Sequence, residues 1–216
     1  LDRILETQPN PQLGNIQTSN PCGEEFLEDY GNCCLGSINL AEFVTGDGHD
    51  IEWEELEEVV SLSVRFLDNV IEVNTFPMGV PKLRETNLKT RRIGLGVMGW
   101  ADMLIKRGIP YDSPSALALA DSVGKFIMDK ALLASGELAQ ERGAFPEYKN
   151  SAWNLGPLQK RLIDLEIDTE KGIRHSSVTT IAPTGSISRI AGTSSGIEPH
   201  FDIAWKSNIL WEGVEK

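Results

Sequence analysis

Three short apolar segments, separated by stretches with helical periodicity, constrain the fold of this chain most. They lie at residues 33–40, 93–99 and 178–182, where glycine, proline or β-branched residues interrupt or border the apolar runs. Short runs of this kind predict buried strands. Strands that alternate with helices favour an α/β fold with a largely parallel sheet and helices on the outside.

Helical periodicity predicts the helices that connect these strands. One helix is expected over residues 52–73 with Asp50 as its N-cap, and the longest begins after a Ser113 cap and runs to about residue 141. A shorter helix is expected over residues 158–165, and the polar residues 84–92 are interpreted as a connection. The apolar stripe of the first helix is predicted to comprise Leu56, Val59, Val60, Phe66, Leu67, Val70 and Ile71.

Composition narrows the classes of function. The net charge of −12 over 216 residues argues against a general surface for nucleic acids or other polyanions. No apolar run is long enough to cross a bilayer, so we expect no membrane segment. Three cysteines, an odd number, are unlike a secreted disulfide framework, and we therefore expect a cytoplasmic protein. The sequence lacks an initiator methionine, so we interpret it as a segment of a longer chain.

Residues 20–24 read Asn-Pro-Cys-Gly-Glu and predict a rigid loop with a thiol at its tip. Pro21 fixes its own φ, and Gly23 permits backbone angles that other residues avoid. Asn20 and Glu24 flank Cys22 by two residues on either side, and an amide and a carboxylate suit positioning and proton transfer at a reacting sulfur. A buried structural cysteine in a Pro/Gly turn is the alternative, and the loop read alone leaves both open.

Two further segments resemble binding loops. Residues 94–99 match G-x-G-x-x-G without the strand and acid that a dinucleotide site requires, so we interpret these glycines as close packing of a strand. Residues 184–188 follow a predicted strand and lead into a predicted helix, where free N–H groups and hydroxyls suit a phosphate. An ordinary helix cap is the alternative there. His175 and His200 are interpreted as structural or surface residues.

Cys33 and Cys34 are adjacent in a predicted strand. Strand alternation places them on opposite faces, so at most one is expected to share a pocket with Cys22. We expect one of the pair to exchange electrons with another thiol. No metal site is expected, because neither the cysteines nor the histidines have the spacing of metal ligands.

Taken together, these segments resemble the large, catalytic subunit of ribonucleotide reductase, in particular its adenosylcobalamin-dependent class II form. The resemblance implies a ten-stranded α/β barrel made of two five-stranded halves, with the active cysteine on a finger loop. This chain would be a central to C-terminal part of that barrel over residues 1–216, with the finger loop at about 15–31 and the second half-barrel at about 32–200. The matching blocks are residues 20–24, 33–40, 92–99, 182–188 and 193–199.

The resemblance also implies roles for individual residues. Cys22 would form the thiyl radical that takes the 3′ hydrogen of the ribose, Glu24 would be the base for the 3′ hydroxyl, and Asn20 would hold the ribose hydroxyls and the loop. Cys33 would be one of two cysteines that reduce the substrate while forming a disulfide, which an external dithiol later reverses. The implied phosphate-binding residues are Thr184, Gly185, Ser186, Ile187 and Ser188. Weaker substrate-binding candidates are Pro21, Gly23 and Leu35.

Departures from the family pattern limit what the chain is expected to do alone. Cys34 stands where the family more commonly has asparagine, no cysteine precedes Cys22, and a C-terminal cysteine pair is missing. We therefore expect the isolated chain to be inactive. Its implied ligands and partners are a ribonucleoside di- or triphosphate, adenosylcobalamin, a thioredoxin-like dithiol, nucleotide effectors bound outside this chain, and a second copy of the full protein. A glycyl-radical enzyme on a similar barrel and a non-catalytic phosphate-binding relative are the alternatives.

Overall fold

The computed structural model describes residues 2–16, 18–202, 210–211 and 214–215. This part of the chain contains both helices and strands. In order they are α1 (Asp2–Glu6), β1 (Thr18–Ser19), β2 (Phe26–Leu27), β3 (Cys34–Asn39), α2 (Trp53–Val73), α3 (Pro81–Thr90), β4 (Ile93–Met98), α4 (Trp100–Lys106), α5 (Pro114–Arg142), α6 (Ala152–Leu155), α7 (Gln159–Asp164), α8 (Ile187–Ala191), β5 (Leu210–Trp211) and β6 (Val214–Glu215).

A parallel pair of strands lies at the centre, as the α/β prediction requires. β3 and β4 pair in parallel with Cys34 opposite Ile93. Residues 177–180 run along the other side of β4, where the Leu95 N–H group donates to the Val178 carbonyl at 2.9 Å. The described residues do not close a barrel.

The strand predicted over residues 178–182 is longer than the pairing that the structure shows there. Only one bridge, between Leu95 and Thr179, joins this segment to β4. The pairing ends as the chain approaches Pro183, which has no N–H group to donate.

The two strands differ in burial, which corrects the prediction of a buried strand at residues 33–40. In β4 every residue except Val97 is buried, whereas in β3 only Ile38 is. Leu35 of β3 is 45% exposed. The difference arises because β4 has neighbours on both sides and β3 lies at the edge of the described sheet.

The two long helices, α2 and α5, agree with the sequence predictions except at the start of α2 and at one position of its apolar stripe. α5 is capped by Ser113, whose Oγ atom accepts from the Ala116 N–H group at 3.1 Å, and it ends before Gly143. α2 begins later than its predicted cap, because Asp50 accepts from the N–H group of the next residue and caps no helix. The predicted stripe of α2 is largely confirmed, but Phe66 is 64% exposed.

The polar residues 84–92 are not a connection, because most of them belong to α3. Pro81 occupies the first turn of that helix, where its missing N–H group has no partner to lose. α3 buries only Asn87 and Thr90, so it lacks the apolar stripe by which a helix is found in a sequence.

Gly94 and Gly96 allow other segments to lie against β4, as the close-packing interpretation expects. A Cβ atom at Gly96 would lie 2.7 Å from the Thr180 carbonyl oxygen. A Cβ atom at Gly94 would meet the Thr180 and Glu25 side chains at 2.7 and 2.8 Å. Larger residues would displace residues 177–180 and the loop that carries Glu25.

Alanine at Gly96 is therefore expected to lower the free energy of unfolding by about 1–3 kcal/mol, as overpacking does. Alanine at Gly124, in the middle of α5 and with open space around its Cβ position, is the matched control and should raise it by about 1 kcal/mol. Urea unfolding followed by circular dichroism measures both. Equal shifts of the same sign would contradict the packing argument.

A cluster of charged side chains is buried beneath the helices around Asp68 of α2, which is fully buried. Its Oδ1 atom accepts from Nε of Arg91 at 3.2 Å and from Nε of Arg174 at 3.1 Å. Its Oδ2 atom accepts from Arg142 at 2.7 Å. Nε2 of His175 lies 3.1 Å from Oδ1. This carboxylate joins α2, the end of α3, the end of α5 and the segment before residues 177–180.

The hydrogen bonds of Ser135 determine the tautomer of His175. The Ser135 Oγ atom accepts from the backbone N–H groups of Arg174 and His175 at 3.1 and 3.2 Å. Its own hydrogen is therefore directed to Nδ1 of His175, 2.9 Å away. The ring then carries its proton on Nε2 and donates it to Asp68. His175 is a structural residue, as the sequence indicates.

This cluster predicts loss of stability in acid. Burial lowers the pKa of His175, although Asp68 opposes that effect. Burial raises the pKa of Asp68, but the hydrogen bonds and charges of His175 and Arg91 outweigh it, so the pKa lies well below its usual range. The unfolded chain protonates both groups more readily than the folded chain does. Stability should therefore be complete above about pH 6.5 and fall below it, first through His175 and later through Asp68.

Urea midpoints between pH 7.5 and 5 measure this dependence. His175→Gln should flatten the curve over that window, whereas His49→Gln, at an exposed position, should leave its slope unchanged. A wild-type midpoint that rises or stays constant as the pH falls would contradict the prediction.

Candidate active site

Residues 20–25 form the tip of a small hairpin. β1 and β2 pair antiparallel, with Ser19 opposite Phe26. The backbone N–H group of Asn20 donates to the Glu25 carbonyl at 3.1 Å, and the Asn20 Oδ1 atom accepts from the Glu25 N–H group at 3.0 Å. Gly23 has a φ of +83°, which favours glycine. The Asn20 side chain thus closes the loop at its base.

Cys22 lies at this tip, and its side chain is exposed and free. Pro21 and Gly23 on either side are also exposed. The hairpin therefore presents a thiol to solvent and does not pack it in a core. The described residues show no barrel around the hairpin.

Glu24 lies between the hairpin and the sheet. Its backbone carbonyl accepts from the Thr180 hydroxyl at 3.1 Å. Glu24 is one of the residues that line a largely apolar cavity of about 520 Å³ bounded by β4, α5 and residues 179–181. Its Oε2 atom is buried and has no hydrogen-bond partner among the described residues. A carboxylate oxygen without a partner is chemically able to accept a proton from a bound group.

Cys33 lies immediately before β3 and is partly buried. Its thiol donates a hydrogen bond to the Cys34 carbonyl at 3.8 Å. Burial and then the negative charge of Glu25 hold the pKa of the Cys33 thiol far above its usual range. Cys34 instead packs against the apolar core, and burial raises its pKa. Of the two adjacent thiols, the structure thus places only Cys33 beside the hairpin.

A buried ion pair anchors the hairpin to the sheet. Arg92, just before β4, lies 2.7 Å from the Glu28 carboxylate, and the two side chains are only 4% and 5% exposed. Asn87 also donates to the side chain of Asn32. The sequence analysis did not predict this ion pair. The sequence feature that could have indicated it is Arg92, which lies directly before an apolar strand, because a charged side chain that is buried needs a partner of opposite charge.

The loop at residues 184–188 uses part of its predicted donors internally. Thr184 is buried, and its Oγ1 atom accepts from the Gly196 N–H group at 2.7 Å. Ser188 is fully buried and shares a hydrogen bond of 2.9 Å with Ser195. These two hydroxyls hold the loop to residues 193–196 and are not presented to a ligand.

The exposed part of this loop is Gly185, Ser186 and Ile187. Within the part of the chain that the structure describes, their N–H groups donate to no backbone carbonyl. A phosphate site at this loop would therefore use backbone N–H groups and the Ser186 hydroxyl. Thr180, whose hydroxyl donates to the Glu24 carbonyl, lies four residues before Thr184, so the segment that contacts the hairpin leads into this loop.

Three further features bear on the sequence predictions: the position of Leu35, the grouping of potential metal ligands and the character of the helices. Leu35 is half exposed on β3 and lies beside Gly94. Among the residues described, no group of three or more potential metal ligands converges. In the same part of the chain, no helix is both long and apolar enough to span a bilayer.

Comparison with known proteins gives one matching family and several relatives of similar sequence. The family described as ribonucleotide reductase, barrel domain, matches residues 2–213. The chain is 45% identical over 210 residues to a vitamin B12-dependent ribonucleoside-diphosphate reductase of Thermoplasma acidophilum, covering 97% of this chain and 25% of that protein. A protein of the same name from Mycobacterium tuberculosis is 46% identical, with 97% of this chain and 28% of that protein covered.

A third relative has a different name. The ribonucleoside-diphosphate reductase subunit alpha of Chlamydia trachomatis is 38% identical, over 92% of this chain and 21% of that protein. The chain thus spans about a quarter of the length of the curated relatives that it matches.

Proposed function

This chain belongs to the ribonucleotide reductase barrel-domain family, and we propose that it supplies the radical cysteine, a proton acceptor and a phosphate loop to a cobalamin-dependent ribonucleotide reductase. The observation that carries the proposal is the hairpin tip. An exposed thiol, Cys22, stands on a loop closed by Asn20, two residues before Glu24, which lines a cavity and has a buried carboxylate oxygen without a partner among the described residues. This is the arrangement that hydrogen abstraction beside a proton acceptor requires.

The reaction divides between these residues as follows. The Cys22 sulfur, as a thiyl radical, takes the hydrogen atom from C3′ of the ribose, so a C–H bond breaks and an S–H bond forms. Glu24 Oε2 accepts the proton of the 3′ hydroxyl. Because the Asn20 oxygen already holds the loop, we assign ribose binding to its amide nitrogen.

Cys33 is the proposed reducing thiol. With a second thiol it gives two electrons and two protons to the ribose, so that hydrogen replaces the 2′ hydroxyl, water leaves and the two sulfurs form a disulfide. An external dithiol of the thioredoxin class then regenerates both thiols. Its place beside the hairpin, while Cys34 packs in the core, supports this choice of thiol.

The exposed N–H groups of residues 185–187 are proposed to hold the substrate diphosphate. The finger loop is proposed at about residues 15–31 and the half-barrel at about 32–200, since the hairpin and its anchor at Glu28 fall within the first range. Nucleotide effectors, a homodimer of the full protein and a cytoplasmic location rest on the family resemblance.

The proposed cofactor is adenosylcobalamin, because two of the relatives are named vitamin B12-dependent. The residues present fit it in one respect: the exposed Cys22 thiol can be reached by a bulky group from solvent. When bound, the cofactor supplies the one-electron oxidation of that thiol. No residue of this chain is assigned to hold it.

A chimera tests the function of the segment. Residues 2–213 replace the matching segment of the Mycobacterium tuberculosis relative, and formation of dCDP from CDP is measured with adenosylcobalamin and dithiothreitol. We expect turnover by the chimera and none by the isolated chain. A chimera that folds like its parent but does not reduce CDP would overturn the proposal and favour a non-catalytic relative. A second chimera that exchanges only residues 18–40 guards against misfolding at the longer junctions.

A further inference from the structure

Asp102 lies in the first turn of α4, and the family resemblance gives it no role. Gly99, the residue before this helix, has a φ of +74° and turns the chain from β4 directly into α4. The N-cap position therefore has no side chain to accept from the first N–H groups of the helix. The Ser194 Oγ atom accepts from the Asp102 N–H group at 3.4 Å instead. The helix thus takes its cap from a loop 92 positions later in the chain.

The Asp102 carboxylate holds that loop, which we call the support loop (residues 193–196). Its Oδ2 atom accepts from the Thr193 hydroxyl at 2.7 Å and from the Ser194 N–H group at 2.6 Å. Its Oδ1 atom lies 2.8 Å from Nε2 of His200. An ionised carboxylate has no hydrogen to donate, so Nε2 of His200 donates in that contact. Both oxygens of this side chain are therefore occupied by the support loop and the residues just after it.

Three hydrogen bonds join the support loop to residues 184–188, the proposed phosphate loop. The Gly196 N–H group donates to the Thr184 hydroxyl oxygen at 2.7 Å. The Thr193 N–H group donates to the Ser188 carbonyl at 3.0 Å, and the Ser188 hydroxyl shares a third hydrogen bond with the support loop. Both ends of the phosphate loop are therefore fixed by the support loop, while the residues between them are exposed.

We propose that Asp102 is a positioning residue for phosphate binding, because it holds the support loop and thereby fixes the exposed N–H groups of the phosphate loop. The proposal rests on the function proposed above, in which these N–H groups bind the substrate diphosphate. The Asp102 oxygens are already occupied, so the residue acts on the ligand only through the support loop. Its loss should therefore weaken binding of the substrate and leave the chemical step intact.

Steady-state kinetics of the chimera separate binding from chemistry. Asp102→Asn leaves one acceptor oxygen, so at least one of the present donors would face an NH₂ group. We expect this variant to raise the KM for CDP about tenfold and to change kcat by less than about twofold, the pattern of lost binding. Asp102→Glu keeps both oxygens, and its KM should lie between the two. Asp121→Asn, at an exposed position of α5, is the matched control and should leave KM and kcat unchanged.

Hydrogen exchange of the same chimeras reports on the loop without turnover. A peptide spanning residues 184–196 should exchange faster in Asp102→Asn, whereas peptides from α2 should be unchanged. Inorganic pyrophosphate is the ligand probe, and it should slow exchange of the first peptide in the unsubstituted chimera. Half of that protection should require about ten times more pyrophosphate in Asp102→Asn.

Three results would overturn the proposal. The first is an unchanged KM together with unchanged exchange at residues 184–196. The second is a loss of kcat with faster exchange throughout the protein, which would indicate a purely structural role for Asp102. The third is an unsubstituted chimera that pyrophosphate does not protect, because the phosphate loop would then hold no phosphate.

The two proposals fail separately. A chimera that does not reduce CDP, but whose protection by pyrophosphate depends on Asp102, would remove the reductase function and leave the positioning role. An active chimera whose protection and KM do not depend on Asp102 would do the reverse.

Discussion

Replacing Asp68 with asparagine is expected to lower the free energy of unfolding by about 3–5 kcal/mol, the usual cost of removing one partner from a buried ion pair. The side chain is fully buried, and Arg91, Arg142 and Arg174 all donate to it. Asparagine keeps the shape but offers one neutral oxygen to these three cations. Their charges would then be left with the half-exposed Glu72 as the remaining acid of the cluster.

Glu72→Gln is the matched control for this prediction. Glu72 lies 2.8 Å from Arg91 and 2.9 Å from Arg174, but its side chain is 49% exposed. Solvent screens such pairs, so its loss should cost less than about 1 kcal/mol. Urea midpoints with unchanged m-values measure both variants. Equal costs for the two substitutions would show that burial does not set the strength of this cluster.

A loss of 3–5 kcal/mol is a large share of the roughly 5–15 kcal/mol that stabilise a typical domain. The Asp68 variant should therefore unfold at a clearly lower temperature and urea concentration than the wild-type chain. Because the cluster holds α2, α3 and α5 to the segment before residues 177–180, its loss should also loosen the contact between Thr180 and Glu24. Protection from hydrogen exchange at Thr180 would report that loosening.

Asp68 also shows that helical periodicity can predict which residues are buried but not which residues contact them. Val64, Asp68 and Ile71 recur at helical spacing, and all three are buried on one face of α2. An acid on an apolar stripe requires a buried partner, and that inference was available from the sequence. Its partners come from residues 91, 142 and 174, which are far apart in the chain, and no local pattern brings them together.

Elements defined by local chemistry were predictable, and those defined by tertiary contacts were not. Ser113 and Gly143 mark the ends of α5 through capping, which depends on a few adjacent residues. α3 was missed because its buried residues are polar, and the side chain of Asn87 donates to a partner 55 positions away. β4 pairs along its whole length, whereas the apolar run at residues 178–182 pairs through one bridge. The difference depends on the neighbouring segments and not on the run itself.

The candidate site divides in the same way. The loop at residues 20–24 follows from a proline and a glycine around a cysteine, and the hairpin tip agrees with that expectation. Glu24 and Glu25 are indistinguishable as sequence, yet Glu24 lines the cavity and Glu25 is buried over Gly94 of β4. The inward turn of the Thr184 hydroxyl depends on Gly196, twelve residues later.

Replacing Cys22 with serine in the chimera is expected to reduce dCDP formation to background. A serine hydroxyl is close in shape to the thiol, but its O–H bond is too strong to yield a radical under the same conditions. Because the side chain is exposed at a hairpin tip in this chain, the free energy of unfolding of the isolated chain should change by less than about 0.5 kcal/mol. Loss of turnover in a chimera of unchanged stability would therefore report chemistry at the sulfur.

Glu24→Gln should give a smaller loss, about 10²–10⁴-fold in turnover, the usual contribution of a general base. Asp29→Asn, at an exposed carboxylate beyond the hairpin, is the matched control and should leave turnover unchanged.

If the Cys22 variant kept more than about a tenth of the activity, the radical would have to lie on another residue. Among the described thiols Cys33 and Cys34 would then be the candidates, but Cys33 is partly buried and donates to the Cys34 carbonyl, and Cys34 packs against the core. The exposed tip is thus the one described position that combines a free thiol with access from solvent.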